Sequence, residues 1–313
     1  MSKVLISFVI PCYRSENTIS AVIDEIIATV KKREGYDYEI VCINDCSPDG
    51  VYEVLKSIAQ SNKRVKLLNL SKNMGKHAAV LAGYSVVQGD YVVNLDDDYQ
   101  SPVSELWELV DVIVNDDCDF VSAKYMKKKQ AYFKRVGRKL NAIISSVLLN
   151  VPSSEGAEEF NVMKRFVAAE IVKYTRPYPY LWGLVLRITR KIKYVYMEHR
   201  NRADGAVTGY TFKKSFALWV NCLTAFSVKP LRLAGIMGLL FSFGGFLLGI
   251  YFVLTRIFNP EVTQGFTSLI AINLLGFGVI MISLGVIGEY IGRIYICINE
   301  SPQYVIKEKI NVE

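Results

Sequence analysis

Asn94-Leu95-Asp96-Asp97-Asp98-Tyr99-Gln100 closes the short apolar run Tyr91–Leu95, and this junction decides how the chain is read. A short apolar run that ends in polar residues predicts a buried strand. Along an extended chain, residues i and i+2 face the same way. Asp96 and Asp98 are therefore expected on one face, with Gln100 in line. Two carboxylates and an amide oxygen suit a hard divalent cation such as Mg2+ or Mn2+, with positions left open for phosphate oxygens. The same residues also fit an acidic turn in which Ser101 or Ser104 caps the next helix.

The flanking chain favours the first reading. Leu5–Ile10, Tyr38–Ile43, Val65–Leu70 and Phe120–Ala123 are further short apolar runs, expected as strands. Thr18–Lys32, Val51–Gln60, Lys76–Val87 and Glu105–Val114 lie between them and read as helices. In the first of these, Ile19, Val22, Ile23, Ile26, Ile27 and Val30 share one side. Strict alternation predicts an α/β fold with a mostly parallel sheet covered on both faces. Ligands of such sheets bind beyond the carboxyl ends of the strands. The polar clusters Pro11–Glu16, Asn44–Asp49 and Asp96–Gln100 fall there.

The rest of the chain has a different character. Of 313 residues, 51% are apolar, which excludes a disordered chain, and the mean hydropathy of +0.23 points to a part in lipid. Residues 1–121 carry 11 basic and 19 acidic side chains, whereas residues 122–313 carry 26 and 11. Between Ser122 and Ala142 there are eight Lys or Arg and no acid, on a stretch with a helical apolar stripe. It reads either as an amphipathic helix at a membrane surface or as a helix on the sheet with a solvated basic side. Leu233–Thr255 and Val262–Gly288 then run 23 and 27 residues without a charge. A spanning helix needs about 20, so a transmembrane hairpin is expected. Lys213, Lys214, Lys229 and Arg232 precede it, and Arg293, Lys307 and Lys309 follow it. By the positive-inside rule both ends are expected in the cytoplasm. The hairpin glycines permit close helix approach, and with it a homo-oligomer.

Cys12, Cys42, Cys46, Cys118, Cys222 and Cys297 form no C-x-x-C pair and read as thiols in a reducing compartment. The opening run Val4–Pro11 is too short for a signal peptide. No zinc, helix-turn-helix or RNA-binding signature accompanies the basic half, so no nucleic acid partner is expected.

Four segments carry a family resemblance. Ile10-Pro11-Cys12-Tyr13-Arg14-Ser15-Glu16 is similar to a P-x-Y-x-x-E opening, and Asn44–Asp49 to a D-D-x-S-x-D turn. Asn73-Met74-Gly75-Lys76 with Gly83 matches N-x-G-K…A-x-x-x-G, and Asp96–Pro102 matches D-x-D-x-Q-x-P. Together they resemble family 2 glycosyltransferases, and the terminal hairpin points to their polyprenyl-phosphate group. The resemblance implies a nucleotide-binding domain of the glycosyltransferase A type, interfacial helices and two transmembrane helices. The boundaries expected are 1–210 for the catalytic domain, 211–230 for a juxtamembrane helix, 231–292 for the hairpin and 293–313 for a tail.

It also implies roles. Pro11, Tyr13 and Glu16 would line the base and ribose of a nucleotide-sugar donor, and Asp45 would accept a hydrogen bond from the base. Lys76, Asp96 and Asp97 would complete the donor site. Asp96, Asp98 and Gln100 would hold Mg2+ or Mn2+, with Asp98 also at the reaction centre. Arg200 and Arg202, with Arg135, Arg138 and Lys139, would meet the diphosphate or the phosphate of a polyprenyl (undecaprenyl) acceptor; guanidinium forks suit phosphate oxygens. Where many members carry D-F-R, this chain reads Glu159-Phe160-Asn161. Glu159 would take the catalytic carboxylate position on a longer arm, or be a surface loop residue. His77 is expected as a surface or pocket residue rather than a base, and His199 as a candidate phosphate neighbour. Trp182 fits a sugar platform or the core, and Trp219 fits an interfacial anchor. The function implied is inverting transfer from a nucleotide-sugar, UDP preferred, to a polyprenyl phosphate at the bacterial inner membrane. The rivals are a processive polysaccharide synthase, against which stands the lack of Q-x-x-R-W, and a non-catalytic membrane scaffold.

Overall fold

A computed structural model describes residues 3–125, 157–176, 179–198, 229–258, 265–298 and 302–312. The chain opens with β1 (Val4–Cys12), α1 (Ile19–Lys31), β2 (Tyr36–Asn44), α2 (Val51–Ser61) and β3 (Val65–Leu70). It continues through α3 (Lys76–Tyr84), β4 (Tyr91–Asn94), a 3-10 turn at Val103–Glu105, α4 (Leu106–Asn115) and β5 (Phe120–Tyr125). Then come β6 (Asn161–Lys164), α5 (Arg165–Val172), α6 (Leu181–Ile188) and β7 (Ile192–Met197). Two long helices, α7 (Lys229–Phe258) and α8 (Phe266–Ile298), precede β8 (Ile306–Ile310).

Among the described residues one sheet has eight strands, in the order β7-β5-β6-β4-β1-β2-β3-β8. β1 pairs in parallel with β2 and β4, β2 with β3, and β5 with β7; only β6 and β8 run the other way. The expected α/β fold with a mostly parallel sheet is what forms. β1 and the Ile40–Ile43 part of β2 are largely apolar because helices cover both faces, and Phe8, Ile10, Ile40 and Ile43 are fully buried. α1 buries Ile19, Val22, Ile23, Ile26 and Val30, a three-and-four spacing that turns one side to the sheet. α3 lies closer still. A Cβ on Gly83 would sit 2.5 Å from Val9 Cγ1 and 2.8 Å from Ile43 Cδ1, so only glycine lets this helix rest on β1 and β2.

The C-terminal segment holds a strand that the sequence reading does not contain. β8 pairs antiparallel with β3, Leu67 opposite Ile310 and Asn69 opposite Glu308. The Tyr52 hydroxyl donates to Glu308 Oε2 at 2.5 Å, and Asn311 Nδ2 donates to the carbonyls of Ala59 at 2.6 Å and Val65 at 2.8 Å. The sheet, its helices and this segment form one compact unit; α7 and α8 belong to a second. Within the second unit both helices are long and apolar enough to cross a bilayer: Ala234–Tyr251 has mean hydropathy 1.8 and Leu275–Ile298 1.7. At 1.5 Å per residue each is at least about 45 Å long. Large apolar side chains such as Leu239, Phe246 and Leu275 stand exposed along them. The basic stretch 126–150, residues 211–228 of the expected juxtamembrane helix and Trp219 lie outside the described residues; Lys229 and Pro230 begin α7.

Candidate active site

The loops after β1, β2 and β4 meet at one edge of the sheet. Each contains a non-glycine residue with left-handed backbone: Arg14 (φ 58°), Cys46 (φ 49°) and Tyr99 (φ 62°). Such conformations cost free energy and persist only where surroundings impose them. Here loop-to-loop hydrogen bonds do so. Ser47 Oγ accepts from Arg14 N at 2.8 Å and donates to Asp49 Oδ1 at 2.5 Å. Asp97 Oδ2 accepts from Tyr13 N at 2.9 Å, and Thr18 Oγ1 donates to the Asp97 carbonyl at 2.6 Å.

A cavity of about 240 Å3 opens between these loops. Pro11, Tyr13, Asp45, Lys76, Asp96 and Asp97 line it, with Cys12, Asn73 and Gly75. Six of the sequence-predicted residues are thus brought together. Asp45 faces the cavity with both oxygens engaged: Oδ1 accepts from Met74 N at 2.7 Å and Oδ2 from Gly75 N at 2.9 Å. It fixes the turn into α3, where Gly75 takes φ 84°. Burial raises its pKa against the pull of those two amides. Burial likewise pushes the Asp97 carboxyl up to about 6, against the Tyr13 amide and helped by its acidic neighbours.

Glu16 has a different place. Its Oε2 accepts from Gly50 N at 2.9 Å, and its own N–H donates to Asp49 Oδ2 at 3.1 Å. It therefore sits beside the Gly50 amide at the entry to α2, where a negative charge complements the helix dipole. A Cβ on Gly50 would come within 2.7 Å of Glu16 Oε1, so the glycine makes room for this cap.

The acidic triplet is not a continuation of the strand, as the sequence reading has it. β4 stops at Asn94, and Asp96–Asp98 lie in the loop beyond it. Their placement comes from local bonds: Gln100 N donates to Asp98 Oδ1 at 3.1 Å around the left-handed Tyr99. Lys76 Nζ lies 2.5 Å from Asp96 Oδ1 and 3.1 Å from Glu159 Oε2. Burial alone would lower the Lys76 pKa, but the two carboxylates outweigh it and hold the ammonium above its usual value. Burial raises Glu159, and Lys76 offsets part of that. Among the described residues no three His, Cys, Asp or Glu side chains are grouped to enclose a metal ion. Asp96 lines the cavity and Asp98 follows it in the same loop, outside the lining residues. These carboxylates nevertheless suit Mg2+ or Mn2+, which commonly take one or two carboxylates and complete their shell with phosphate and water.

A network behind this cluster carries no sequence signal. Asn94 on β4 stands opposite Asn161 on β6. Asn94 Nδ2 donates to Asn161 Oδ1 at 2.7 Å and to Tyr84 Oη at 2.6 Å. Asn161 Nδ2 donates to the carbonyls of Glu158 at 2.9 Å and Glu159 at 3.0 Å. Asn161 thus holds the backbone of Glu159. His77 is half-buried, edge-on to Tyr180 at 6.1 Å, and burial keeps its pKa low. Trp182 packs on Phe120 at 5.7 Å between ring centres. Arg135, Arg138, Lys139, His199, Arg200 and Arg202 lie outside the described residues.

The model of glycosyl transferase family 2 matches residues 7–170, the segment that builds this cleft. The chain belongs to that family. The two long helices match a second model, the GtrB C-terminal hairpin, over residues 229–294. Similar proteins include "Uncharacterized glycosyltransferase YkcC" of Bacillus subtilis (strain 168), 30% identical over 98% of this chain and 94% of the relative. The "Undecaprenyl-phosphate 4-deoxy-4-formamido-L-arabinose transferase" of Proteus mirabilis (strain HI4320) is 28% identical over 98% and 94%. Among solved structures, glucosyl-3-phosphoglycerate synthase of M. tuberculosis superposes with a TM-score of 0.51 at 18% identity, over 71% of this chain and 78% of that one. Its complex with Mn2+, UDP and glucosyl-3-phosphoglycerate gives 0.51 at 19%, over 71% and 78%. This family 2 member is a glycosyltransferase with the glycosyltransferase A fold, as its motifs implied.

Proposed function

We propose that this glycosyltransferase moves a sugar from a nucleotide-sugar to a polyprenyl phosphate at the cytoplasmic face of the bacterial inner membrane. One observation carries the reading: a donor-type cleft and a pair of bilayer-length apolar helices occur in a single family 2 chain. The undecaprenyl-phosphate transferases among its relatives support the acceptor. The UDP bound by the mycobacterial enzyme supports UDP as the preferred nucleotide. β8 supports an even number of crossings: the chain rejoins the sheet after α8, so both flanks of the hairpin lie on one side. The basic residues that flank the hairpin support the cytoplasmic side.

In this reading Pro11, Tyr13 and Asp45 receive the nucleoside. Lys76 meets the diphosphate. Asp96 and Asp98, with Gln100, would hold Mg2+ or Mn2+, which neutralises the departing diphosphate when bound. Arg135, Arg138, Lys139, Arg200 and Arg202 draw in the acceptor phosphate. That phosphate is already anionic near neutral pH, so no strong base is required. Its oxygen attacks the anomeric carbon opposite the leaving group, the bond to the diphosphate breaks, and configuration inverts. Glu159, anchored through Asn161, orients Lys76 beside the leaving group.

The test is a donor panel. Purified protein receives undecaprenyl phosphate, Mg2+ or Mn2+, and radiolabelled UDP-, GDP- and dTDP-sugars; label is followed into the organic phase. Transfer from one donor, lost on chelation and in Asp98→Ala, is the expected result. No transfer by folded protein from any donor refutes the assignment and favours the scaffold.

A further inference from the structure

Within the cleft, Lys76 pairs with Asp96. Its ammonium bridges two carboxylates from different parts of the sheet, Asp96 after β4 and Glu159 before β6, at 2.5 and 3.1 Å. Both ends of this bridge are fixed at the backbone. Lys76 is the first residue of α3, and the preceding amides of Met74 and Gly75 are held on Asp45. The Glu159 carbonyl is held by Asn161, which is itself held by Asn94. All three side chains are partly open to solvent, 36% for Lys76, 29% for Asp96 and 52% for Glu159, and so have room to rearrange.

A divalent cation using Asp96 would meet the Lys76 ammonium at close range. Like charges a few ångströms apart repel, and the divalent charge doubles the effect. Among the described residues no three acidic, His or Cys side chains are grouped to hold the cation by themselves. A diphosphate offers what is missing: oxygens for the metal and an alternative partner for the lysine.

We propose that Lys76 is an exchangeable counterion, holding Asp96 until metal and nucleotide diphosphate enter together. Asp96 then passes from the ammonium to the metal. Lys76 keeps Glu159 and turns its remaining donors to the diphosphate. No covalent bond changes. Metal and donor binding become mutually dependent, and Glu159 acts as a positioning residue that gives the displaced lysine a partner. The inference rests on the metal-dependent donor site proposed above.

The test is Mn2+ titration of the full chain in detergent, read from the electron paramagnetic resonance signal of free Mn2+. It is run alone and with UDP, GDP or dTDP, on wild type, Lys76→Met, Lys76→Arg and Glu159→Gln. Wild type is expected to bind Mn2+ at least about tenfold more tightly with its nucleotide than alone. Lys76→Met should raise nucleotide-free affinity by about tenfold and shrink that coupling, whereas Lys76→Arg should behave as wild type. Glu159→Gln should move nucleotide-free affinity the opposite way, because the lysine then has only Asp96. Nucleotide-coupled binding in wild type with no gain in Lys76→Met overturns the exchange and leaves the donor site standing. Absence of Mn2+ uptake by wild type with every nucleotide overturns the donor-site reading, and the exchange with it.

Discussion

Two lysine–carboxylate pairs in the same sheet do opposite jobs. Lys66 on β3 meets Glu39 on β2 at 2.6 Å, with side chains only 10% and 6% exposed. The Glu39 carboxylate also accepts from the Ser7 hydroxyl, from Gln88 N at 2.5 Å and from Gly89 N at 3.2 Å. A Cβ on Gly89 would sit 2.5 Å from Ser7 Oγ, so the loop closes over the pair without room for a side chain. Lys76 and Asp96 are as close, yet they stand on an open cleft with a second carboxylate beside them. Residue type and distance are shared; burial and the number of fixed partners differ. A closed pair holds the fold, whereas an open one can change partners.

Breaking each pair should expose that difference. The largest expected effect on stability is from Lys66→Met, which strands a buried carboxylate and should cost about 3–5 kcal/mol in denaturant unfolding. Adding Glu39→Gln should recover much of it, since the uncompensated charge is gone. Asp96→Asn should do the reverse: transfer falls by about a thousandfold, as expected when several kcal/mol of charge stabilisation is lost, with Tm nearly unchanged. A comparable loss of stability in Asp96→Asn would mean that the cleft pair is structural too.

The network behind Glu159 is intermediate. Asn161→Ala leaves two carbonyls and Asn94 short of partners in a buried place, at about 1–3 kcal/mol. We expect kcat to fall about tenfold with KM little changed, as for a lost positioning contact. A change in KM alone would place Asn161 in donor binding instead.

Asp97 gives the smallest effect and a distinct pH signature. Burial raises its folded pKa to about 6, above the unfolded carboxyl near 3.9. The folded state then holds the proton more tightly, so stability falls as pH rises from about 4 to 6 and levels off above. Asp97→Asn should flatten that part of the Tm–pH curve, by about 1–2 kcal/mol after allowance for solvent screening. An unchanged slope would mean that other groups set it.

What was legible in the sequence divides along similar lines. The parallel core is readable because Leu5–Ile10, Tyr38–Ile43 and Val65–Leu70 are covered on both faces and so contain few polar interruptions. The cleft loops are readable because polar residues concentrate where those strands end. β6 and β8 are not: Asn-Val-Met-Lys becomes a strand through β4 and β5, and Ile-Lys-Glu-Lys-Ile only through its distant partner β3. Strand alternation put Asp96 and Asp98 on one face, but β4 ends two residues earlier and a turn places them. Glu16 was readable as a conspicuous residue, not as the cap of α2, because a contact with Gly50 leaves no local pattern. Tyr84, Asn94 and Asn161 are neutral, and only the folded sheet brings them together.

The most direct test of the central claim is the mass of the lipid product. Undecaprenyl phosphate is incubated with the purified chain, the donor found in the panel and Mn2+, and the organic phase is analysed by mass spectrometry. The account predicts a lipid heavier by one glycosyl residue, acid-labile at the phosphate link and absent with Asp98→Ala. Unchanged lipid mass, with the sugar released into water or joined to a non-lipid acceptor, would contradict it.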